Sequence, residues 1–84
     1  MTNNEKSKRI KQAITETSHL LSKAKVKHQN SIICLKMEVL ENQELGNDKT
    51  ANKLAVEHFK NCKARVKELE NHIVKLNKML VELQ

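Results

Sequence analysis

Apolar residues recur through the second half of the chain at alternating steps of three and four. With position a of a heptad at Asn52, the a residues are Asn52, Phe59, Val66, Ile73 and Leu80. The d residues are then Ala55, Cys62, Leu69, Leu76 and Leu83. From Phe59 onward every a and d residue is apolar. A 3.5-residue repeat draws a narrow stripe along one side of a helix, and water drives that stripe against another helix. The pattern predicts a coiled-coil helix over about residues 49–83.

A second stripe runs through the first half: Ile10, Ile14, Thr17, Leu21, Ala24, His28, Ile32, Leu35, Val39 and Asn42. Its steps alternate between four and three, except for two successive steps of four from Ala24 through His28 to Ile32, which reads as a stutter. This stripe is weaker, because Thr17, Ala24 and His28 are poor core residues. It predicts a helix over about residues 5–45, with residues 1–4 frayed.

Between the arms lies Leu45-Gly46-Asn47-Asp48-Lys49-Thr50, the one cluster of helix breakers in the chain. Gly46 suits the left-handed conformation that closes a helix, and Asp48 or Thr50 suits the N-cap of the next. Residues 46–50 are therefore expected to form a turn, and two helices joined so briefly fold back antiparallel. Counting outward from the turn, Val39 meets Ala55, Leu35 meets Phe59, Ile32 meets Cys62 and Ile10 meets Leu83, with numbers summing to 93 or 94.

The expected fold class is all-α. Two long helices, about 5–45 and 49–83, form an antiparallel coiled-coil hairpin, a single helical domain over residues 1–84. The rival is one continuous helix in a parallel coiled-coil dimer. Val and Ile at a with Leu at d favour the rival, whereas Gly46 inside a helix costs it about 1 kcal/mol.

Apolar residues are left over. Val26, Ile33, Met37 and Leu40 line up beside the first stripe, and Val56, Val74, Met79 and Val81 lie off the second. So wide an apolar surface suits a helix with more than one neighbour. Two hairpins are expected to pair into a four-helix bundle, or one hairpin to pack on a partner protein.

Composition narrows the classes. The chain has no proline, one glycine and one aromatic residue, with 31% of its residues charged. Those numbers argue against a β-sandwich or an α/β domain, which need turn residues and aromatic strands. No apolar run is long enough to span a bilayer. The charged start, Met-Thr-Asn-Asn-Glu-Lys, leads into no apolar segment, so no signal peptide is expected. Two cysteines without a secretory signal read as reduced thiols, which points to an intracellular protein of cytoplasm or nucleus. The last heptad runs into Gln84 without a C-cap, as in the N-terminal piece of a longer protein.

Net charge is +6 and uneven. Residues 1–30 carry seven Lys and Arg against two Glu, residues 31–48 one Lys against four acids, and residues 49–84 eight against four. Lys6, Lys8, Arg9 and Lys11 form the densest basic run, followed by Lys23, Lys25 and Lys27. These are the candidate anion contacts for nucleic acid or an anionic membrane. The plainer account is a solvated lysine-rich surface that keeps a thin bundle in solution. Base reading would call for an aromatic platform, a zinc finger or a dense basic region, and the sequence has none of these.

Chemistry is sparse. His58 and Cys62 stand i, i+4 on one helix face, and a fold-back brings Cys34 near them. Soft ligands at that spacing suit zinc or copper, but a fourth ligand is missing, so no metal is expected and packing is the simpler role. His28 lies in the first stripe, where a pH-sensitive layer is the sharper reading and a hydrogen-bonded neutral ring the plainer one. His19 and His72 are expected on the surface. Asn42 and Asn52 either specify register or sit at a solvated end. Phosphate loops, activated nucleophiles and paired carboxylates in a pocket are lacking, so the chain is expected to be no enzyme and to need no cofactor.

The leading functional expectation is a protein–protein interaction and oligomerisation module, an assembly or scaffold element. It associates through the Phe59–Leu83 stripe and offers Val26, Ile33, Met37 and Leu40 as a second interaction face. The alternatives are a basic helical nucleic-acid-binding adaptor, and one subunit of a hetero-oligomeric coiled-coil complex.

Overall fold

The structure is a computed structural model that describes residues 2–45 and 50–83, and within these leaves out the side chains of residues 42, 43, 45 and 50–52. Two helices make up the described chain: α1 (Asn3–Leu45) and α2 (Thr50–Glu82). They lie antiparallel along their length as a hairpin 64 Å long and 15 Å across. The 43 residues of α1, at about 1.5 Å each, account for that whole length. A single helix through the chain would reach about 120 Å, which the 64 Å extent rules out. The continuous-helix alternative is therefore set aside. The expected turn at Gly46, Asn47, Asp48 and Lys49 lies outside the described residues.

Helix α1 starts earlier than about residue 5, for a local reason. Thr2-Asn3-Asn4-Glu5 has the spacing of a capping box. The Glu5 amide donates to Thr2 Oγ1 at 3.2 Å, and the Lys6 amide donates to the Thr2 carbonyl at 3.0 Å. Residues expected to fray are thus the first turn of the helix. At the other end, the Leu83 amide donates to the Leu80 carbonyl at 3.3 Å, closing α2 with a tight turn.

The inner face of α2 holds the predicted heptads. Leu69 and Leu76 are buried, and Ala55, Phe59, Cys62, Val66, Ile73, Leu80 and Leu83 are half-buried. Helix α1 differs from expectation in phase. Its inward residues are Ser7, Ile10, Ile14, Thr17, Leu21, Ala24, His28, Ser31, Leu35 and Glu38. The steps alternate three and four without a break, so there is no stutter among them. Ser31 is 2% exposed and takes the place expected for Ile32, which is half-buried at the edge. Glu38 stands where Val39 was expected, and Val39 is 37% exposed. Thr17 and Ala24, weak core residues by type, are among the most buried.

Cross-helix neighbours explain the phase. The His28 and Phe59 rings stand 5.1 Å apart, Ala24 lies by Cys62 and Leu69, and Ile10 lies by Met79 and Leu83. These numbers centre on a sum near 90, about one helical turn from the fold-back sum of 93 or 94. In that alignment the two stripes interleave, and Ser31 comes level with Phe59. Among the described residues Ser31 is the most buried of α1 in this phase, and a small side chain suits so closed a position. Its hydroxyl stays satisfied by donating to the His28 carbonyl at 2.6 Å.

Candidate functional site

The unbroken heptad also sorts the outer residues. With Leu21, His28 and Leu35 at a on α1, and Phe59, Val66 and Ile73 at a on α2, each helix carries g residues along one side and e residues along the other. In the structure the g sides meet: Leu20 and Lys27 line a groove with His58 and Arg65. Its floor is Ala24, Cys62 and Leu69, its rim adds Lys23 and Asn61, and its volume is about 410 Å³. Apolar below and cationic above, it suits an apolar side chain flanked by carboxylates. Arg65 also donates to Glu68 at 3.3 Å across an exposed ion pair.

Farther toward the turn on this same flank stand Met37 and Leu54, which are 55% and 71% exposed. Glu41 and Glu44 lie beside them, also exposed. The g flank, counting its c neighbours, carries six cations (Lys6, Arg9, Lys23, Lys27, Arg65, Lys75) and five acids (Glu16, Glu41, Glu44, Glu68, Glu82). Its cations gather toward the open arms, while Glu41 and Glu44 lie toward the turn. Exposed Cys34 stands at a g position between groove and patch.

The opposite flank is different. Its e and b positions hold Lys8, Lys11, Lys25 and Lys36 on α1 and Lys53, Lys60, Lys63 and Lys67 on α2, all exposed. One acid, Glu70, shares it. The candidate anion contacts are therefore divided by the fold. Lys8, Lys11 and Lys25 are on the lysine flank, whereas Lys6, Arg9, Lys23 and Lys27 are on the mixed one. Lys36 and the four α2 lysines were missed as candidates. No dense run marks them in the sequence; the e and b positions of the α2 lysines in their heptad were the available signal, whereas Lys36 falls into place only in the observed α1 phase.

The second face expected from sequence is exposed throughout. Val26, Ile33 and Leu40 occupy f positions on the outermost side of α1, and Met37 adjoins them at c. His58 Nε2 and Cys62 Sγ approach to 3.7 Å, as their i, i+4 spacing implies. Cys34 and Cys62 are free thiols. Among the described residues no group of three or more His, Cys, Asp and Glu side chains gathers to hold a metal ion. His28 packs on Phe59, and its Nδ1 is buried without a hydrogen-bond partner among the described residues. Asn42 and Asn52 have side chains outside the described set, so their expected role in register lies there too. His19 and His72 are exposed. No described helix is long and apolar enough to cross a membrane.

No protein-family model matches this chain, and no curated protein or solved structure shows significant similarity to it.

Proposed function

We propose that the chain is a non-enzymatic assembly module whose hairpin pairs with a second copy to complete a four-helix bundle. The supporting observation is unfinished burial. Ala24, Leu69 and Leu76 are the buried hydrophobics among the described residues, while ten large hydrophobics stay exposed. The accessible surface is 6803 Å². A globular chain of 9.7 kDa would expose about 5,100 Å². The excess is roughly twice the ~800 Å² that each partner contributes to a standard interface.

The g flank suits the second copy. Turning one hairpin by 180° about an axis near Cys34 lays its Met37, Leu54, Glu41 and Glu44 patch on the other's cationic groove. The same rotation repeats the contact in reverse, as a two-fold interface requires. Lys23 then comes level with the partner copy's Glu44, and Lys27 with its Glu41. The lysine flank offers no such match, since it would set like charges together.

Sedimentation equilibrium tests the proposal. Wild type is expected to be a concentration-dependent dimer. Lys23→Glu with Lys27→Glu should shift it toward monomer, and adding Glu41→Lys with Glu44→Lys should restore it. A wild-type chain that stays monomeric at ~1 mM overturns the assembly reading. A dimer indifferent to these substitutions keeps the module and removes the g flank as its seat.

A further inference from the structure

We infer that the lysine flank is a sequence-independent binding surface for the phosphate backbone of double-stranded nucleic acid. The eight lysines against Glu70 amount to +7 on one side of a rod whose whole chain carries +6. The mixed flank holds nearly as many cations, six, but five acids offset them, whereas one acid stands among the eight lysines, so the net excess lies on the lysine flank. The asymmetry arises only when the hairpin closes, because each helix contributes four of the eight.

Linear charge density suits a regular polyanion. In the antiparallel register Lys25, Lys36, Lys53, Lys60, Lys63 and Lys67 fall within about 14 residue levels, or roughly 21 Å of rod. Six ammoniums over that span stand about 4 Å apart on average along the rod, a linear charge density of the same order as one duplex strand, which carries a phosphate per ~3.4 Å of helix axis. The carrier is a straight rod 64 Å long, matched to a stiff linear polyanion. Single strands are gripped by stacking on aromatic rings, and the only aromatic residue, Phe59, is half-buried in the seam. Lysine is a point charge, without the planar fork that reads guanine, so the surface tracks backbone and leaves base sequence unread. An acidic bilayer would call for Trp or Phe beside the lysines to enter the headgroups, and the flank has neither.

The experiment uses the full chain and a labelled duplex of about 24 base pairs, longer than the rod at 3.4 Å per pair. Fluorescence anisotropy follows binding between ~50 and ~200 mM salt. Six phosphate contacts should lower affinity about 10³-fold across that range. The variant Lys25→Gln, Lys60→Gln, Lys63→Gln should weaken binding about tenfold or more and flatten the log–log salt slope by about 2.7, at ~0.9 per contact. Its control is Lys6→Gln, Arg9→Gln, Lys75→Gln, which removes equal charge from the other flank and should change affinity less than about twofold. All six positions are exposed, so circular dichroism should show both variants folded. A control as damaging as the test variant, or no wild-type binding at ~50 mM salt, overturns the inference. Tighter binding to phosphatidylserine vesicles than to duplex overturns it as well.

Discussion

Ser31 and Glu38 hold core positions that a residue chosen for hydrophobicity would fill with Ile or Val. Each reports a different constraint. Ser31 is small and 2% exposed, so filling the site should hurt. Ser31→Leu is expected to lower stability by about 1–3 kcal/mol through overpacking, read as a lower urea midpoint at unchanged slope. Glu38 is half-buried, and its Oε2 is sequestered with no partner among the described residues. Burying an unmet polar group is costly, so Glu38→Leu should raise stability by about 1–2 kcal/mol, read as a higher urea midpoint. A stabilising Ser31→Leu or a destabilising Glu38→Leu would mean that α1 is rotated to put Ile32 and Val39 inward instead.

The two helices are built by unlike means. Helix α2 owes its place to a strict stripe of Val, Ile and Leu, and needs no special ends to be recognised. Helix α1 has a patchier stripe and is anchored locally at its start. Thr2 caps it and Glu5 sits three residues on, so the first turn is ordered without tertiary help. Thr2→Ala should cost about 1 kcal/mol, confined to that end. Amide hydrogen exchange should speed up in the first turn of α1 and stay unchanged at Leu69 and Leu76. Uniform acceleration through both helices would place the cap within the global folding unit. Within α1, residues 31–40 carry apolar side chains on most sides: Leu35 inward, Ile32 and Val39 at e, Ile33 and Leu40 at f, Met37 at c. That surplus is why the outer face of this helix stays unfinished in one hairpin.

As a whole, the molecule is a thin rod with two unequal sides. One combines apolar patches with charges of both signs, while on the other nearly every charge is a lysine. Self-pairing through the first would leave the second facing outward on both copies, so a dimer would present two basic surfaces. Cys34 gives a direct check of the pairing geometry. It lies near the proposed two-fold axis and is an exposed free thiol. Mild oxidation should link two wild-type chains covalently, Cys62→Ser should still link, and Cys34→Ser should not. Linking through Cys62 instead would place the axis elsewhere on the rod.

The α2 stripe, the helical class and the division into two arms were legible in the sequence, because heptad period, residue type and a lone breaker cluster act locally. Those signals do not depend on what lies opposite. The phase of α1 does. Two stripes one residue apart, through Ser31 or through Ile32, run along the same helix, and only its packing against the other arm turns Ser31 inward. The same alignment adds four lysines of one helix to four of the other on a single flank. Charges counted along the chain cannot show that sum, since it exists only once the two helices lie side by side.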